Sequence, residues 1–274
     1  MITCEEIYDL HTTGALESAL CEAYREIPLD SRNSMRKNDT PLHMACAFVD
    51  ENAVRILLER GADVNVRNDD GDTPLCVLAK RKCCGKETTI AGIAGLLVSK
   101  EARVPRSGKN TTALIEAVGN RHFLMADILL MSGCRIDSTN SNGNNVLHVI
   151  CQSAGDIAYD IKRTKERIAD FSERWYSEKD KREAYENMEY LEEADRQCFL
   201  TAKRILENGQ IDTEDKNNIG KTALDIAWET GARRIGALLS GQDPDTDELS
   251  ALIGGLDVFQ ALWYKDCLLY TSDA

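Results

Sequence analysis

Thr40-Pro41-Leu42-His43-Met44-Ala45 returns 33 residues later as Thr73-Pro74-Leu75-Cys76-Val77-Leu78. It returns more loosely as Thr112-Ala113-Leu114-Ile115-Glu116-Ala117, and after a further 33 residues as Asn145-Val146-Leu147-His148-Val149-Ile150. Thr222-Ala223-Leu224-Asp225-Ile226-Ala227 is the last clear copy. A fixed period of this size is the mark of a stacked-repeat architecture. Each copy reads as the start of a helix. Thr caps, and Pro in the first turn lacks an N–H that would have had no partner anyway. Leu then points inward, and small residues after it let helices approach. The following segment, Ala53-Val54-Arg55-Ile56-Leu57-Leu58, has apolar residues at helical spacing. Gly61 ends it in a left-handed cap, and Asp69-Asp70-Gly71 signals a tight turn.

A second motif trails the first in fixed phase. Gly61-Ala62-Asp63-Val64-Asn65 begins 21 residues after Thr40, and Gly133-Cys134-Arg135-Ile136-Asp137 begins 21 after Thr112. Gly209-Gln210-Ile211-Asp212 is the same element, displaced by a 43-residue insertion. With both motifs in register, residues 3–266 resemble the ankyrin-repeat family. The resemblance implies an all-α solenoid of stacked antiparallel helix pairs, joined by short β-hairpin or turn fingers and curved into an array with a concave face. Units are expected at about 3–35, 36–68, 69–107, 108–140, 141–217 and 218–242. In the first unit Ile7, Tyr8 and Leu10 open one helix, and Leu16, Leu20 and Tyr24 the next. Departures from the pattern are Glu101 for a cap glycine, Val49 for a glycine between helices, and Asn38 and Asn110 for finger glycines. Asn tolerates the left-handed conformation better than most residues.

Residues 155–198 are predicted to lengthen both helices of their repeat into a projecting antiparallel hairpin. Ile157, Ile161, Ile168, Phe171 and Trp175 form one stripe, and Tyr185, Met188, Leu191, Ala194 and Cys198 the other. The second arm is acidic, through Glu183, Glu186, Glu189, Glu192, Glu193 and Asp195. It reads as a solvated arm, as a contact for a specific partner through residues such as Trp175 and Tyr185, or as a contact to further sequence. After an acidic linker at 243–248 and a short helix at 249–253, Val258 to Asp266 looks like the start of another repeat. Cys267 to Ala274 resembles the translation of a sequencing-transposon adapter and is set apart from the fold. On that reading the natural chain continues past about Asp266.

Composition narrows the function. The chain of 274 residues has a net charge of −13, is 43% hydrophobic and holds 10 Cys. Such acidity disfavours nucleic acid and suits a basic protein partner. No apolar run approaches a membrane span, and the N-terminus lacks the features of a signal peptide, so a cytoplasmic location is expected. The cysteines lack C-x-x-C spacing and mostly lie in apolar stripes, as small buried thiols in a reducing compartment would. The Arg81–Glu87 loop, with Cys83 and Cys84, offers too few ligands for a metal. His43 with Cys46 and His148 with Cys151 could pair on a metal, but they occupy equivalent repeat positions, where the resemblance implies a structural histidine. Gly220-Lys221-Thr222 mimics the end of a P-loop, yet Asp215 stands where its first glycine is needed.

No catalytic set, cofactor, metal or small-molecule substrate is expected. The chain reads as a non-catalytic scaffold that binds a protein through its concave helix face and finger tips. Candidate contacts are Met44, Ala47 and Phe48 on the helices. On the fingers they are Arg67, Asn68, Asp69, Ser138, Asn140, Lys216 and Asn217. Phe48 is either the leading hot spot or a residue packed on the first unit. Other readings are the targeting part of a larger enzyme or effector, and a structural spacer.

Overall fold

The computed structural model describes residues 2–82, 85–102, 112–172 and 176–242. Among these are twelve α-helices that alternate between two rows. The first row holds α1 (Cys4–Thr12), α3 (Pro41–Phe48), α5 (Pro74–Ala79), α7 (Ala113–Gly119), α9 (Val146–Ala169) and α11 (Ala223–Thr230). The second holds α2 (Glu17–Glu26), α4 (Glu51–Glu59), α6 (Glu87–Ser99), α8 (Phe123–Met131), α10 (Glu178–Glu207) and α12 (Arg233–Leu239). Each helix packs on its partner and on the equivalent helix of the next layer, α3 on α5 and α7 on α9 in one row, α2 on α4 and α8 on α10 in the other. A pair this thin cannot bury its own apolar faces, so each layer is completed by its neighbours.

The repeated motif works as its chemistry dictates. Thr40, Thr73, Thr112, Asn145 and Thr222 each accept a hydrogen bond from the backbone N–H three residues on. Each such cap is worth about 1 kcal/mol. Leu42, Leu75, Leu114 and Leu147 are buried, each contributing about 1.5–3 kcal/mol from desolvation. Ala45, Cys46, Ala79, Ala117, Cys151 and Ala227 are buried beside them, where small side chains admit close helix contact.

His43 lies 2.8 Å from the Thr40 hydroxyl through Nδ1 and 3.0 Å from the Asp72 carbonyl through Nε2. His148 repeats the arrangement, with Nδ1 at Asn145 and Nε2 3.0 Å from the Lys221 carbonyl. Each imidazole therefore joins one layer to the finger of the next. The paired cysteines, Cys46 and Cys151, are buried. No group able to hold a metal occurs among the described residues.

The first unit departs from the pattern and is held by added contacts. Arg60 donates to the Tyr24 carbonyl at 2.6 Å and to the Ile27 carbonyl at 2.7 Å, placing a cation at the end of α2. Tyr24 is buried and its hydroxyl lies 2.9 Å from His11 Nε2. Leu16, expected to open the second helix, stands at its N-cap and is exposed, and Leu20, Ala23 and Tyr24 supply the buried face.

The insertion is two long helices. α9 has 24 residues and α10 has 30, with a turn of 3-10 helix at Asp170–Ser172 after α9. Ile157 and Thr164 on α9 meet the buried stripe Ala184, Met188, Leu191, Ala194 and Cys198 on α10. The base of the hairpin is tied on both sides. Arg121 pairs with Asp160 at 2.9 Å and Arg234 with Asp195 at 2.7 Å, while Asp127 receives Thr201 and Arg204.

Left-handed backbone occurs where the sequence departs from glycine. Val49, Glu101 and Arg121 have φ of 56°, 61° and 64°, each just after a helix. Lys37 and Asn38 adopt it in the first finger.

Candidate interaction surface

The fingers are built by asparagine. Asn68 Oδ1 accepts from the N–H groups of Asp70 and Asp72, at 3.1 and 3.0 Å. Asn140 does the same for Asn142 and Asn144, and Asn217 for Ile219 and Lys221. In each case the Asn backbone N–H donates to the carbonyl four residues on, and a glycine three residues on adopts positive φ. The underlying motif is Asn-x-x-Gly, at Asn68–Gly71, Asn140–Gly143 and Asn217–Gly220. Local side-chain bonding of this kind competes successfully with helix and sheet. These three fingers are accordingly turns and not β-hairpins. The described residues hold one isolated antiparallel bridge, between Asn33 and Asp39.

Successive fingers also bind each other. Asn68 Nδ2 donates to Asp39 Oδ1 at 2.8 Å, and Asn217 Nδ2 to Asn144 Oδ1 at 2.8 Å. The Asp69 N–H donates to the Lys37 carbonyl, and the Asn218 N–H to the Asn142 carbonyl. Lys37 pairs with Asp70 across the same gap. Gly143 lies so close to Asn218 that a Cβ there would meet the Asn218 backbone nitrogen at 2.9 Å.

This geometry sorts the expected contact residues. Arg67, Asp69 and Lys216 are exposed on the fingers; Arg67 donates to the Gly71 carbonyl at 2.7 Å. Ser138 is half-buried. Asn68 and Asn217 are corrected: their amides are spent inside and between fingers, and Asn217 is buried; Asn140 is half-buried and its Oδ1 is spent inside its own finger. The outward position is two residues further on. It is occupied by Met35 in the first finger, Asp70, Asn142 and, last, Ile219, with Met35 and Ile219 exposed at 84% and 73%. The spacing between the Asn and the tip was available in the sequence, in the recurring Asn-x-x-Gly.

On the helices, Met44 and Ala47 are corrected as well. Met44 is 1% exposed, with its sulfur 3.8 Å from Asn33 Nδ2, and Ala47 is buried. Phe48 is half-buried. It stacks on His11 at 4.0 Å with the rings 8° apart, and its ring lies 5.6 Å from that of Tyr8. Phe48 is thus committed to the first unit, and the hot-spot expectation gives way to the packing one.

Burial lowers the proton affinity of His11, with Asp50 3.9 Å away opposing that shift. These groups border an open, mainly polar depression lined by Glu17, Phe48, Asp50, Glu51, Asn52 and Lys86. Its carboxylates are engaged: Asp50 caps α4, Glu51 pairs with Arg55 and Glu17 with Asn52. Trp175, Cys83 and Cys84 lie outside the described residues. Tyr185 sits beside the buried stripe of α10 and not in it, its ring edge-on to Phe171 at 6.4 Å. Gly220-Lys221-Thr222 is a finger and a cap: Lys221 pairs with Glu229 and Thr222 caps α11.

Burial of the thiols follows the helical stripes. It pushes Cys134 to about 11 and both Cys4 and Cys151 to about 12, and Cys46 is raised by the same cause. These are packing groups and not nucleophiles. No described helix is long and apolar enough to cross a membrane.

Comparison with known proteins agrees with this architecture. A family model described as ankyrin repeats (many copies) matches residues 27–76. An ankyrin repeat-containing protein of Schizosaccharomyces pombe is 34% identical over 68 residues, 22% of this chain and 33% of that protein. The phosphocholine transferase AnkX of Legionella pneumophila is 26% identical over 201 residues, 69% of this chain and 20% of that protein. The chain therefore spans a third or less of the length of these relatives.

Proposed function

This chain is an ankyrin-repeat protein, and from that premise we propose that it is a non-catalytic module that holds a protein partner. The partner lies along the first-helix row and the finger tips. The observation that carries the reading is the register of the fingers. Three of them spend their Asn amides on internal bonds and present the second residue beyond to solvent. A rigid row of outward side chains on a self-supporting frame is what recognition requires. The net charge of −13 favours a basic partner surface and speeds its approach. Buried, unpaired thiols suit a reducing, cytoplasmic setting.

The test is affinity capture with the full chain followed by measured binding of the recovered protein. Asp70→Arg and Ile219→Glu should each weaken it, and removal of residues 156–197 decides whether the arm takes part. Equal binding by wild type and both tip variants overturns the reading.

A second reading is favoured by the match to AnkX, a much longer protein named for transferring phosphocholine. The repeats would then serve as the targeting part of an effector whose chemistry resides in another domain. Sequence of the intact gene distinguishes the two: a further domain supports the second reading, and repeats alone support the first.

A further inference from the structure

The fifth residue of each first-helix motif forms a row across the layers: Met44, Val77, Glu116, Val149 and Ile226. Met44 and Ile226 are buried, closing the two ends, whereas Val77, Glu116 and Val149 remain half-covered. The contacts of α7 with α5 and α9 set these three in adjacent layers. The open stretch is thus three side chains long, with a carboxylate at its centre and an aliphatic group on each side.

Glu116 makes no side-chain hydrogen bond or ion pair with any described residue. Nearby polar groups are already committed: Lys80 to Asp72 at 2.6 Å, and Gln152 to Asp156 at 3.3 Å. One turn further along α7 is Gly119, which is exposed, and a Cβ there would meet only Val149 Cγ1, at 3.5 Å. The helix surface beside the carboxylate is therefore bare. Aliphatic flanks and a bare stretch of helix thus surround one acid that pairs with no described residue.

Covering such a carboxylate with an apolar surface would strand a charge, which is costly unless a cation arrives with the cover. A lysine or arginine meets both demands: its head reaches Glu116, and the aliphatic residues beside it in the partner cover Val77 and Val149. The geometry points to Glu116 as a specificity-determining anchor that takes a lysine or arginine flanked by aliphatic residues in a peptide segment of the partner. This rests on the interaction-module reading above.

Random peptides displayed on phage, selected against the full chain and against Glu116→Gln and Glu116→Lys, test it. Wild type should enrich peptides with Lys or Arg at one fixed position beside aliphatics. Such peptides should lose about tenfold or more in affinity for Glu116→Gln, and the loss should shrink as salt is raised. Glu116→Lys should select Asp or Glu at that position. Thermal melts of each variant confirm folding, and Glu116→Gln carries the test alone if Glu116→Lys does not fold. The anchor is overturned if wild-type peptides lack a fixed basic position, or if they bind Glu116→Gln equally. Peptides that ignore Glu116 but are lost on Val77→Asp or Ile219→Glu refute the anchor and leave the module standing. If no form enriches any peptide, both fall.

Discussion

Replacing Asn217 by alanine removes three bonds at once. Its Oδ1 accepts from Ile219 N–H at 3.1 Å and Lys221 N–H at 3.0 Å, and its Nδ2 reaches Asn144 at 2.8 Å. At a net 0.5–1.5 kcal/mol each, with the exposed Ile219 amide regaining water, the loss comes to about 2 kcal/mol. Asn217→Asp keeps both acceptors, and Asn144 can turn its amide to donate, so that variant should cost about 0.5 kcal/mol. The damage should be local, because repeat stability is a sum of units and their interfaces. Urea melts measure the total, and native-state hydrogen exchange should show α11 and α12 opening before the rest. The finger-staple reasoning is refuted if Asn217→Ala lies within about 0.5 kcal/mol of wild type, or if Asp is as harmful as Ala.

Other substitutions act through the backbone and the layers. Glu101→Gly should stabilise by about 0.5–1 kcal/mol, since relief of the left-handed strain outweighs the entropy of glycine; a lower melting temperature would contradict this. Gly155→Ala should destabilise by about 1–3 kcal/mol despite alanine's helix preference, because a Cβ there collides with Thr230, whose backbone oxygen is 3.1 Å away. A neutral or stabilised Gly155→Ala would show that α9 and α11 can separate freely. Burial holds both His11 and His43 neutral by lowering their folded-state proton affinity. The unfolded chain then binds more protons, so stability should fall as pH drops below about 6.5. His43→Gln should flatten that slope in pH-dependent urea melts.

The layers were legible in the sequence because capping, inward Leu and small neighbours are local demands written at fixed spacing. Thr40, Thr73 and Thr222 cap as their positions predict, and His43 and His148 bind as structural histidines. The contact residues were less legible, because whether a side chain faces solvent is settled by the neighbouring layer. Met44 is covered once Asn33 reaches its sulfur from the first finger. Phe48 is taken by His11 from a unit whose motif is too degenerate to place side chains. The sequence spacing puts Tyr185 in the arm stripe, where a one-residue shift to Ala184 gives the buried row. Asn68 and Asn217 look like variable loop polars until the glycine three residues on is read with them.

The long hairpin is continuous with the helices of its own repeat, so the arm is also a lever. At 1.5 Å per residue α9 reaches about 36 Å, whereas α7 in the layer before it has 7 residues. A load applied at the far end of α9 would be delivered as torque into the seam where Asp160, Asp195 and Arg204 grip the flanking layers. Anything that grasps the far end of this crowbar can pry at the joints between the fifth repeat and its neighbours without touching the face proposed to receive the guest.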